Sequence, residues 1–144
     1  MLNRIYPFTY KPHEDEAEKA SNSYLMALIA LMLGLPMPVI NLIATAAFYL
    51  GNRKGSYFVR WHCTQALAAQ FLFLFINSSG LYWTISILTG SRQLSNLYIA
   101  YMFTAILFNL VEFILTMYTA IKVRKGLHVD WWLFGTFANA VTKP

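Results

Sequence analysis

Glu112 stands near the middle of an apolar run from Leu97 to Ile121, and that is where chemistry would concentrate. About 20 helical residues cross the hydrocarbon of a bilayer. A carboxylate at that depth is disfavoured by a few kcal/mol, so it must face protein, water or a partner. At about 3.6 residues per turn, Tyr101, Ala105, Asn109, Glu112, Thr116 and Thr119 share one narrow stripe. Two other apolar runs carry matching groups: Asn41 with Thr45, and Gln70 and Asn77 with His62 and Ala66, Gln65 lying beside that ridge. Amides glue helices together in lipid, each such bond being worth roughly 0.6 to 2 kcal/mol. The seam of Glu112, Asn109, Gln70, Gln65, Asn77, Asn41 and Thr116 therefore reads as helix packing or a partner contact. Its alternative is a polar path with Glu112 as the ionisable centre.

Other chemistry finds little support. No nucleophile-elbow pattern and no glycine-rich strand-to-helix turn occurs, so no enzyme is expected. The single cysteine, Cys63, excludes an internal disulfide and reads as a small buried apolar residue. No metal site and no cofactor are expected. Haem would need two imidazoles facing one pocket, and His128 lies in what reads as a flexible tail. A second intramembrane acid for a proton relay is missing as well.

The elements that would position the seam follow from composition. Of the 144 residues, 58% are hydrophobic and 17% aromatic, as in a single small integral membrane domain. The net charge of +5 sits beside apolar runs, which favours lipid headgroups over nucleic acid. Residues 1–22 form a polar and aromatic arm whose acidic part, Glu14 to Lys19, is either a short surface helix or a mobile tail. No cleavable signal peptide is visible there. An all-α bundle of three crossings is then expected within residues 23–126, at about 23–50, 57–88 and 97–122. Gly34, Pro36 and Pro38 predict a kink in the first. Asn77 to Gly80 interrupts the second, which is expected to continue as one helix. Residues 127–144 form an aromatic tail at headgroup level, where Trp131, Trp132, Phe134 and Phe137 would dock on lipid or on a partner. Arg53, Lys54, Arg60, Trp61 and His62 mark the headgroup end of the second crossing. Three crossings put residues 51–60 and the C-terminal tail on the more basic side, seven Lys and Arg against four. That predicts a cytoplasmic C-terminus and an N-terminus outside, in a bacterial inner membrane.

The stretch Tyr57-Phe58-Val59-Arg60-Trp61-His62-Cys63-Thr64-Gln65-Ala66-Leu67-Ala68-Ala69-Gln70 resembles the signature of a family of small bacterial membrane proteins. These are related to the chloroplast inner-envelope import subunit of the Tic twenty type. Members commonly read phenylalanine-valine-arginine, one residue, histidine, then glutamine-alanine-leucine, and Phe58, Val59, Arg60, His62, Gln65, Ala66 and Leu67 match. The similarity covers roughly residues 23 to 135. The aromatic, acidic arm, Trp61 and Cys63 depart from the pattern. The resemblance implies a helical bundle and, through the plastid relatives, protein translocation.

Together these readings predict a non-enzymatic accessory subunit of a larger membrane complex, linked to protein transport. The alternative is a small homo-oligomeric channel or carrier with a polar path past Glu112. Membrane lipids, other integral subunits or a second copy of the chain are the expected partners, and nucleic acid is not.

Overall fold

A computed structural model of the chain describes residues 3–6, 8–29, 33 and 38–144. In chain order the elements are strand β1 (Asn3–Tyr6), helices α1 (Glu14–Met26), α2 (Pro38–Asn52), α3 (Tyr57–Leu88) and α4 (Asn96–Arg124), strand β2 (His128–Trp131) and helix α5 (Trp132–Val141). Two of the helices, α3 and α4, are long and apolar enough to cross a bilayer. Only 11% of the apolar window of α3 and 17% of that of α4 are buried within the chain, so both present their apolar faces outward.

Local chemistry sets the ends of these helices. Ser56 accepts the Val59 amide at the start of α3, and Ser95 accepts the Tyr98 amide at the start of α4. Past each helix a glycine takes the left-handed backbone that other residues resist: Gly90 at φ 74° and Gly126 at φ 76°. Lys122 and Arg124 in the last turn of α4 face its negative dipole end. α3 runs unbroken through Asn77 to Gly80.

The first expected crossing, residues 23–50, is corrected. Glu14, Asp15 and Glu16 fill the first turn of α1, and the His13 amide donates to the Glu16 carboxylate at 2.8 Å. This capping nucleates a helix well before the apolar run begins. The arm is therefore neither mobile nor only superficial there, since Ala17, Ala20, Ser21 and Tyr24 are buried. α1 wedges between α3 and α4. The Ser21 hydroxyl donates to the Ala120 carbonyl at 2.9 Å, and Leu28 shares a cavity with Ile76 and Glu112. α2 starts at Pro38 in that same cavity and returns toward the end from which α1 came, reaching Asn52 just before α3 begins. Its 15 residues extend about 22 Å, too short to cross. Of the expected kink, Gly34 and Pro36 lie outside the described residues.

The orientation is corrected for a related reason. β1 pairs antiparallel with β2, from Asn3↔Trp131 to Tyr6↔His128. An N-terminus outside and a C-terminal tail inside cannot form that ribbon, so both lie at one end of the molecule. The opposite end is the turn between α3 and α4. The core gathers at the ribbon end, where Ala20, Tyr24, Phe58, Ala66, Ala69, Ala120, Val123, Val129 and Trp131 pack together. The alanines let α1, α3 and α4 approach closely, as small residues do between helices in lipid.

Candidate functional site: a polar seam and a buried histidine pair

Glu112 is 8% exposed and faces α3. The Gln70 amide donates to its Oε1 at 2.8 Å, and the Thr116 hydroxyl donates to the same oxygen at 3.2 Å. Above it, Asn77 and Asn109 exchange two hydrogen bonds, with Nδ2 to Oδ1 distances of 2.9 and 2.7 Å. The Tyr101 hydroxyl donates to the Ile76 carbonyl at 2.6 Å, and Thr84 meets the Tyr98 hydroxyl at 2.9 Å. These bonds form a ladder along the α3–α4 contact, because one polar residue per turn or two keeps the same face on both helices. Asn41 of α2 joins Glu112, Asn77, Asn109 and Thr84 around a half-open cavity of about 370 Å³. Of the predicted seam, Glu112, Asn109, Gln70, Asn77, Asn41 and Thr116 are thus brought together.

Gln65 is not. It lies in the ribbon-end core, where its Nε2 donates to the Tyr24 hydroxyl at 2.7 Å and to the Val129 carbonyl at 3.0 Å. Its Oε1 accepts the Trp131 amide at 2.8 Å. A backbone N–H can only donate and a carbonyl can only accept, so this amide has one possible orientation. Tyr24, already accepting from Gln65, then donates its proton to His62 Nδ1 at 2.8 Å. His62 must carry its proton on Nε2, which donates to His128 Nδ1 at 3.2 Å. A directional chain therefore runs Gln65, Tyr24, His62, His128, and it holds both imidazoles neutral. Every member is at most 2% exposed.

This pair corrects the picture of His128 in a flexible tail. The Trp61 and His128 rings lie 4.2 Å apart between centroids, and Phe8 of the arm covers His128 at 4.8 Å. Burial pushes the His128 imidazole down to a pKa of about 4. Nothing local in the sequence joined Tyr24 or His128 to this site. The one usable signal was the crowding of Arg60, His62 and Gln65 at a helix start.

The remaining predicted residues divide. Trp61 is fully buried and its Nε1 donates to Asn139 at 2.7 Å. Arg60 donates to the Lys143 carbonyl at 3.0 Å, so it pins the C-terminus as well as facing outward. Arg53 and Lys54 sit in the turn before α3. Trp131 is not a free docking residue: it is 5% exposed, and its Nε1 donates to Thr119 at 2.8 Å. Phe134 packs half-buried against the core, while Trp132 and Phe137 remain exposed. Among the described residues no group of three or more His, Cys, Asp and Glu is placed to hold a metal ion.

No curated protein and no solved structure matches this chain. A family model does match, over residues 20–137, and its description is magnetosome magnetite crystal formation. That overturns the expected kinship with the Tic twenty type, and with it the accessory role in protein transport and its channel alternative. The Phe58 to Gln70 signature is better understood through its contacts, as the helix start that holds β2 and α1. With two outward-facing apolar helices and this match, the molecule is a lipid-embedded membrane protein. The chain belongs to the magnetosome magnetite crystal formation protein family (MamF/MmsF).

Proposed function

We propose that this chain serves magnetite crystal formation as a non-enzymatic scaffold in the magnetosome membrane. The observation that carries the reading is the family match over most of the chain. Charge distribution adds an orientation. All but Arg92 of the eleven Lys and Arg belong to segments at the ribbon end. The basic bias of cytoplasmic loops then favours a cytoplasmic ribbon, with both termini, and an α3–α4 turn facing the crystal. That turn, Thr89 to Ser95, offers hydroxyls and Arg92 and no carboxylate. Self-association belongs to the same reading, since the bundle leaves the cavity beside Glu112 half open.

Deletion in a magnetite-forming cell, followed by electron microscopy, tests the role. Crystals unchanged in number, size and shape would refute it. Cysteine labelling in a Cys63→Ala background tests the orientation. Thr9→Cys and Lys143→Cys should react with an impermeant thiol reagent from the cytoplasmic face, and Ser91→Cys only from the other. Self-association predicts a disulfide-linked dimer from Ile106→Cys, at the 63% exposed rim of the cavity.

A further inference from the structure

We infer that the cavity beside Glu112 binds one hard monovalent cation, an alkali-metal ion, between the Glu112 carboxylate of α4 and the Asn41 amide of α2. The seam leaves half of that carboxylate unused. Both of its donors, Gln70 Nε2 and Thr116 Oγ1, go to Oε1. Among the described residues none donates to Oε2, although Glu112 is 92% buried. That oxygen is not sealed into the core, and Glu112 lines the cavity of about 370 Å³, so Oε2 opens into it. A carboxylate oxygen without a donor is costly in the middle of an apolar stretch, and the cavity has to supply its partner. The chain has little to offer. Asn77 and Asn109 turn their amides to each other, and the Thr84 hydroxyl is engaged with the Gly80 carbonyl and Tyr98. Residues 30–37, which precede α2, carry no polar side chain.

The donor set decides the class of ligand. The described polar groups around the cavity are one carboxylate, three amides and a hydroxyl, with no imidazole or thiol. Oxygen donors suit hard cations, whereas soft and borderline metals want sulfur or imidazole. A single positive charge cancels that of Glu112; a divalent ion would leave net charge at a depth where charge is penalised. Each amide oxygen has two lone pairs, and the Asn77–Asn109 exchange takes one on each, so both oxygens keep a lone pair for an ion. The cavity extends from Glu112 past Met102, about 15 Å along α4, and reaches Thr84 near the end of α3. The ion therefore enters from the end that carries the α3–α4 turn. On the ribbon side, Gln70 and Thr116 close over Glu112, and the packed alanines Ala66, Ala69 and Ala120 follow. The site is a dead end, and it holds an ion rather than conducting one. Its effect is to tie the start of α2, too short to cross by itself, to the α3–α4 pair.

The test uses the full chain in lipid nanodiscs and an apolar carbodiimide, to which a carboxyl group adds without a leaving group. Mass spectrometry of the segment from Leu97 to Ile121, whose one carboxyl is Glu112, reads the rate. At fixed pH and ionic strength, replacing choline chloride by sodium chloride should slow the labelling about tenfold at roughly ten times the dissociation constant of sodium. Potassium should protect in the same way, with its own midpoint. Equal rates in sodium, potassium and choline would overturn the proposal, as would protection by manganese(II) and by neither alkali ion. Absence of labelling in choline would overturn it too, since Oε2 would then not open into the cavity. Asn41→Leu leaves every hydrogen bond of Glu112 in place and should raise the sodium midpoint by about tenfold. An unchanged midpoint would overturn the bridge to α2. Sodium should also raise the melting temperature of the unaltered chain by a few degrees over choline, and Glu112→Gln should abolish that response. A response that survives in Glu112→Gln would place the ion elsewhere and overturn the site.

Discussion

Acidification should open the two-stranded ribbon before it disturbs the contact between α3 and α4. His128 has a pKa of about 4 in the closed ribbon, against the ordinary 6.5, because burial disfavours the imidazolium. The opened ribbon binds its proton near 6.5, so it holds more protons than the closed one between those values. Closing is then at full strength above about pH 6.5 and weakens progressively as the pH falls toward 4. Each tenfold difference in proton affinity is worth about 1.4 kcal/mol, which makes the whole loss about 3 kcal/mol. The chain of hydrogen bonds makes the added proton costly, since reversing it leaves the Tyr24 proton without an acceptor in that chain. With Gln65 donating to Tyr24 and Tyr24 to His62, an added proton on His128 Nδ1 would face the Nε2 proton of His62. Amide hydrogen exchange in lipid nanodiscs, from about pH 7 to about pH 4, reads this at Val129 to Trp131. Protection there should fall roughly a hundredfold over that range beyond the intrinsic change in exchange rate, while Asn109 to Thr116 keeps its protection. Glu16 titrates in the same direction. Burial raises its pKa, but bonds from the His13 backbone, Ser56 and Tyr10 outweigh that and leave it lowered. His128→Gln separates the two, and should flatten most of the dependence. A ribbon equally protected at both ends of the range, or a variant that keeps the full dependence, would refute the reasoning.

Three further outcomes follow from the contacts. Asn109→Leu should destabilise by about 1 to 3 kcal/mol in reversible unfolding, since the Asn77 amide is left unpaired; adding Asn77→Leu should recover most of it. Glu112→Gln retains an oxygen for the Gln70 and Thr116 donors and should keep the melting temperature within a few degrees, whereas Glu112→Leu strands both donors and should lower it clearly. Gly135→Ala places a methyl group on the Asp130 Oδ1 position, so the buried carboxylate and α5 must move apart; limited proteolysis should then cleave after Gly126 faster than in the unaltered chain.

The apolar runs of α3 and α4, their serine caps and their glycine stops are local signals. They act within a turn or two, and so they were legible residue by residue. The stripe through Asn109, Glu112 and Thr116 was legible for the same reason, because helical periodicity alone puts those side chains on one face. Which groups would answer them was a question of tertiary structure. Gln70 and Gln65 differ by five residues on one helix, yet one meets Glu112 and the other holds β2. The run from residue 23 to 50 has the length and composition of a crossing, and hydropathy cannot distinguish that from two helices that turn back. The acidic cap at Glu14 to Glu16 and the wedging of α1 between α3 and α4 decided the matter. The pairing of Asn3–Tyr6 with His128–Trp131 joins the two ends of the chain, and no local preference encodes it. It forms because Phe8, His62 and His128 bury one another once the helices have brought both ends to the same face, and that single contact fixed the topology.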